Sequence, residues 1–276
     1  MIKNYKKRLI FVIIILLITP AVLGNIFVEV ISERNIDNRF MYGIIVRLLL
    51  TIITIYIVIK EDIFRLNKLL RHSYSYVVLS GIIGFILYKI VSNSINEFDV
   101  YISVYTHLLY FGRELTVGLF EELFFRILIF GYVFCIINYG DEKTILLKSV
   151  IISSLIFSAT HLLNILNPYF EKLSVISQTL AAFGLGVLFQ SILIKTQNII
   201  FVVFLHAFVN YIGAYRTELL QITVDNSPFT FNDFIQTLII IVVSIIFIIF
   251  PISYYFLKTS HNFIQTLKTN NSIIQQ

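Results

Sequence analysis

LTVGLFEELFFRILIFGYVFCIIN, the stretch from Leu115 to Asn138, decides the fold. It is apolar and long enough to cross a bilayer, whose hydrocarbon core takes roughly 20 residues of helix. Yet it carries Glu121, Glu122 and Arg126 near its middle. A charged group at that depth costs about 2.5–3.5 kcal/mol on insertion scales, so each needs a compensating partner. Glu122 and Arg126 are four positions apart, so they stack on one helical face and can form an ion pair that lowers the cost of burial. Glu121 is rotated by about 100° from Glu122 in an α-helix and cannot share that pairing equally. It is left to face another part of the chain.

The rest of the sequence has the same character. Of 276 residues, 58% are hydrophobic and only 13% charged, with a mean hydropathy of +0.87. No soluble domain of that composition could cover itself with polar surface. Apolar windows predict spans at 9–31, 41–59, 74–95, 115–138, 145–166, 174–194, 199–215 and 234–257. The reading is an all-α, polytopic bundle of about eight transmembrane helices, a single membrane domain over 1–276. Residues 60–72 alternate apolar and basic side chains and suit an amphipathic helix in the headgroup layer. The N-terminal run resembles a signal sequence but continues to about Ile31, long enough to be an uncleaved first span. With both termini in the cytoplasm, inner segments hold most of the Lys and Arg, from Lys3, Lys6, Lys7 and Arg8 to Lys258 and Lys268. Outer ones hold only Arg34, Arg39, Lys172 and Arg216, with Lys89 near an outer end. The single cysteine, Cys135, excludes an internal disulfide and a multi-cysteine metal cluster. A net charge of +5 lying mostly in loops argues against nucleic acid.

Two further helices carry polar groups that need partners in the bundle. The fifth span holds FSATH, which puts Phe157 and His161 one turn apart, with Asn164 a turn further. The seventh holds HAFVN, with His206 and Asn210 at i and i+4 on one side. The economical arrangement converges Glu121, His161, His206 and Asn210 on one wet cavity. That set has the chemistry of amide hydrolysis. A desolvated Glu beside a His can act as general base toward water. A second His with an Asn amide can donate to the oxyanion that develops on the scissile carbonyl. This chemistry requires no cofactor. Two His and a carboxylate can also hold zinc, so a metal-activated water on Glu121, His161 and His206 is a variant left open.

Read in order, these motifs resemble the CPBP family, the CAAX proteases and bacteriocin-processing enzymes also called Abi. The family pattern is EExxxR, FxxxH and HxxxN on three helices of an eight-helix bundle. It stands here as Glu121-Glu122-xxx-Arg126, Phe157-xxx-His161 and His206-xxx-Asn210. Gly184, Gly186 and the turn Thr196-x-Asn198-Ile199 fit the same pattern, and the likeness covers about 115–212. The resemblance implies that Glu121 is the water-activating base and His161 its partner. It implies an oxyanion hole of His206 and Asn210, with Glu122, Arg126 and Phe157 as support. It further implies an endopeptidase in a bacterial cell membrane, acting on small secreted peptide precursors or membrane-protein segments.

The residues alone also admit two rivals, a non-catalytic scaffold or immunity protein of the same fold and a proton-coupled transporter. Arg47 and Lys89 read as snorkelling or interior-facing. The pair Arg113-Glu114 reads as interfacial, as do His72 and His107. Gly81, Gly84, Gly184 and Gly186 read as close-packing positions.

Overall fold

The computed structural model describes residues 5–12, 14, 35–61, 79, 82, 86, 89, 102–137, 140–166, 172–215, 235, 238, 239, 241–243 and 245–257. The predicted first span beyond its opening turns, residues 62–72 of the amphipathic segment and most of the third span lie outside the described residues.

Every described element is helical: α1 (Ile36–Glu61), α2 (Val104–Glu121), a π-helical segment (Glu122–Ile129), α3 (Phe130–Ile136), α4 (Glu142–His161) with a 3₁₀ turn (Leu162–Leu166), α5 (Lys172–Thr196), α6 (Ile199–Ala214), a second π segment (Ile245–Ile249) and α7 (Phe250–Leu257). Three stretches are long and apolar enough to cross a membrane, Ile36–Glu61, Glu142–Ile165 and Val175–Thr196, with Ile199–Gly213 shorter but apolar. The protein is an all-α membrane bundle.

Helix α1 shows how lipid reverses the soluble pattern. Leu49, Ile52, Tyr56 and Ile59 recur at helical spacing and are exposed, as a lipid-facing stripe must be. Thr51, Thr54 and Val58 are buried on the opposite side. Thr51 and Thr54 each donate their hydroxyl to the carbonyl one turn earlier, at 2.7 and 2.8 Å, so no polar group is stranded.

Of the stretch 100–114, whose place the sequence leaves undecided, residues 104–114 join the fourth span. Ser103 caps α2 by accepting from the Thr106 N–H at 3.0 Å. From there one helical run continues to Ile136, with Glu121 near its middle. Asp141 caps α4 in the same way, through the Thr144 N–H at 3.2 Å.

Two glycines set how closely helices approach. A Cβ on Gly118 would lie 2.9 Å from the Val203 carbonyl oxygen and 3.4 Å from the His206 Cβ, so α2 and α6 are in backbone contact at the site. A Cβ on Gly186 would lie 3.0 Å from the Ser154 Cβ and 3.4 Å from the Phe157 ring, which locks α5 to α4. Between α5 and α6 the chain turns in two residues. Gln197 adopts the left-handed region with φ of 52° and donates its N–H to Leu193 O at 2.8 Å, an αL helix stop. Asn198 then caps α6 by accepting from the Phe201 N–H at 3.0 Å. This turn fixes the register of the helix that carries His206.

Candidate active site

The string EELFFR falls where the helix widens. Glu121 ends α2, and Glu122 to Ile129 follow the i→i+5 pattern of a π-helix, a rare conformation concentrated at functional sites. A wider turn rotates successive residues by less than the 100° of an α-helix. Glu121 and Glu122 stand where this widening begins, and both carboxylates reach toward α6.

His206 is where they meet. Glu122 and Arg126 are sealed from solvent, and Arg126 Nε donates to Glu122 Oε2 at 3.0 Å. The other carboxylate oxygen, Oε1, lies 2.7 Å from His206 Nδ1. The far nitrogen of the ring, Nε2, stands 3.5 Å from Glu121 Oε2, long for a direct hydrogen bond. One imidazole thus bridges two adjacent carboxylates. The two differ in exposure, since the Glu121 side chain keeps 24% of its surface open and that of Glu122 none.

Phe157 organises the aromatic side of the cluster. Its ring meets His161 edge-on at 4.9 Å and His206 edge-on at 6.2 Å, with Phe125 at 4.9 Å. The Arg126 guanidinium lies over the same ring, 4.5 Å from its centre. Phe189 on α5 stacks at a tilt 5.5 Å from His206. His161 Nδ1 lies 3.2 Å from its own helix's Phe157 carbonyl, which leaves Nε2 as the ring's other polar atom.

Glu121, Glu122, Arg126, Phe157, His161 and His206 are therefore brought into one neighbourhood. Asn210 lies one turn beyond His206, half-buried. The Tyr110 hydroxyl reaches the backbone carbonyls of Asn210 and Tyr211 at 3.5 and 3.2 Å. Asn164 lies apart, donating to Gln178 at 3.0 Å. Among the described residues no three His, Cys, Asp or Glu side chains are arranged to hold a metal ion. Glu121, His161 and His206 do not fit the zinc variant as they stand.

Residues 103–212 match the family described as type II CAAX prenyl endopeptidase, Rce1-like. This segment is similar to the CAAX-protease family. The matched region opens at the cap of α2 and closes just after Asn210, so it contains all three motifs of the CAAX-protease pattern. No curated protein and no solved structure matches the chain.

Three features of the matched segment have no counterpart in the sequence reading. Glu122 serves as a link to His206 as well as a brace for Arg126. Arg113 and Glu114 pack against the bundle: Glu114 is buried, Arg113 Nε donates to it at 2.7 Å, and the guanidinium lies 5.1 and 5.2 Å from the ring centres of Phe40 and Tyr110. The covering ring belongs to α1, which a linear sequence does not reveal. His107 likewise packs inward, with Nδ1 2.9 Å from the Tyr211 hydroxyl.

Proposed function

We propose that the chain is an intramembrane endopeptidase that hydrolyses peptide bonds with water activated by Glu121. The reading rests on one observation, the half-open Glu121 carboxylate beside a His206 ring whose other nitrogen is held by the buried Glu122–Arg126 pair.

Glu121 takes a proton from water as the water attacks the scissile carbonyl, and His161 helps to hold that water. Glu122 takes the His206 Nδ1–H, which fixes the ring much as a carboxylate orients a catalytic histidine. His206 can then present Nε2–H outward only as the imidazolium. Glu121, Glu122 and Arg126 together leave one net negative charge, which that imidazolium cancels. A cationic donor at Nε2 and the Asn210 amide stabilise the oxyanion. Proton return from Glu121 to the departing amine closes the cycle without a covalent intermediate.

The substrates proposed are small secreted peptide precursors or membrane-protein segments, presented at the membrane of a bacterial cell with both termini of the enzyme in the cytoplasm. Incubating the detergent-purified chain with a peptide library in ¹⁸O-labelled water tests the reading. New C-termini carrying one ¹⁸O are expected. Absence of cleavage, or equal cleavage by a Glu121→Gln/His206→Ala variant, contradicts it.

A further inference from the structure

Near Phe157 lie polar atoms that the proposed reaction does not use. Nη1 and Nη2 of Arg126, Oγ of Ser154 and both amide atoms of Gln190 are sealed from solvent and make no hydrogen bond within the protein. Arg126, Ser154 and Gln190 are each 0% exposed. Arg126 uses only Nε, on Glu122.

Their placement is shared. The Arg126 guanidinium lies on the Phe157 ring. Gly186 on α5 packs against that ring, and its Cβ position is 3.2 Å from the Ser154 hydroxyl. Gly186, Phe189 and Gln190 occupy i, i+3 and i+4 on one face of α5. Gly186 turns that face toward α4, and Phe189 toward His206. Gln190 therefore enters the bundle one helical turn from the Gly186–Ser154 contact. Inside an apolar bundle a guanidinium edge, an amide and a hydroxyl do not stay unsatisfied. No hydrogen bond joins them to one another. Because Glu122 already balances the charge of Arg126, the ligand they suit is neutral and able both to donate and to accept.

We propose that Arg126, Ser154 and Gln190 form a buried water-binding site, and that this water holds the Arg126 guanidinium and through it Glu122 and the His206 ring. Buried waters take two to four polar partners, which this trio supplies. Gln190 and Ser154 are then positioning residues. Their effect on hydrolysis rests on the function proposed above, whereas the water site does not.

Radiolytic hydroxyl-radical labelling separates the two, because radicals formed from bound water oxidise buried side chains beside it and spare those in dry contact. In the purified full chain, Phe157 should label faster than the similarly buried Phe130, and faster than their 3% and 0% exposures account for. A Gln190→Met/Ser154→Ala variant should lose that excess while labelling of His161 is unchanged. Ser154→Ala alone gives the same reading should the double variant not fold. Where peptide cleavage is measured, Gln190→Met should lower kcat with KM unchanged, and Gln190→Asn should restore part of it. Labelling as expected with no peptide cleaved by the wild type upholds the water site and sinks the protease. Phe157 labelling at the rate of Phe130, or an excess untouched by the variant, overturns the water site even if peptides are cut.

Discussion

The helical run from Val104 to Ile136 carries two buried arginine–glutamate pairs, and they have been put to different uses. Arg113 and Glu114 are sequence neighbours closed under aromatic rings of α1 and α2. Glu122 and Arg126 also sit against an aromatic ring, but Glu122 divides its two oxygens between Arg126 and a histidine from another helix. The first pair braces α2 against α1. The second passes its fixed geometry to a titratable ring that faces a half-open carboxylate. A buried charge pair thus becomes part of the candidate site when one of its lone pairs is committed to a side chain of another helix.

The contrast is tested most severely by Arg126→Met. It removes the ion-pair partner of Glu122 in the interior and leaves that carboxylate only the His206 Nδ1–H, a class of change that costs about 3–5 kcal/mol. Denaturant unfolding in detergent should show a loss of that size, and peptide hydrolysis should fall with it. Arg113→Met should cost less, about 2 kcal/mol, because it removes a charge-assisted hydrogen bond and ring contacts at a site with some solvent access. Its kcat should stay at the wild-type value in the protein that remains folded. Equal damage to activity by both variants would erase the distinction between brace and relay.

The smallest effect is expected at Asp141, outside the membrane. The Thr144 hydroxyl and N–H hold its carboxyl below the usual aspartate range. A depressed value means that its contribution to stability is present above the unfolded-state pKa and is lost as pH falls through the folded-state value. Thermal unfolding of Asp141→Ala should show a slightly lower Tm near neutrality and converge on the wild type in acid. Activity should not change.

Much of this was legible in the residues. Length and hydropathy require a helical bundle, and the spacing of Glu122 to Arg126, Phe157 to His161 and His206 to Asn210 identifies the helix faces that meet. The π-helical widening was not legible, since it depends on which carbonyl each N–H selects rather than on the apolar pattern. Nor could spacing reveal that Glu122, 84 positions away, takes His206 Nδ1. Arg113 and Glu114 read as interfacial because a charge pair near a helix start usually marks the membrane edge, and Phe40 covers them from another helix. Gln190 escaped notice because one amide in an apolar helix leaves no periodic signal.

The division of labour between the two adjacent glutamates is the central claim, and single-turnover cleavage of one identified peptide by wild type and Glu121→Gln tests it most directly. The account predicts a fall of about 10²–10⁴-fold, the usual worth of a general base, with Tm unchanged because Glu121 is the half-open member. Cleavage by Glu121→Gln at the wild-type rate contradicts it.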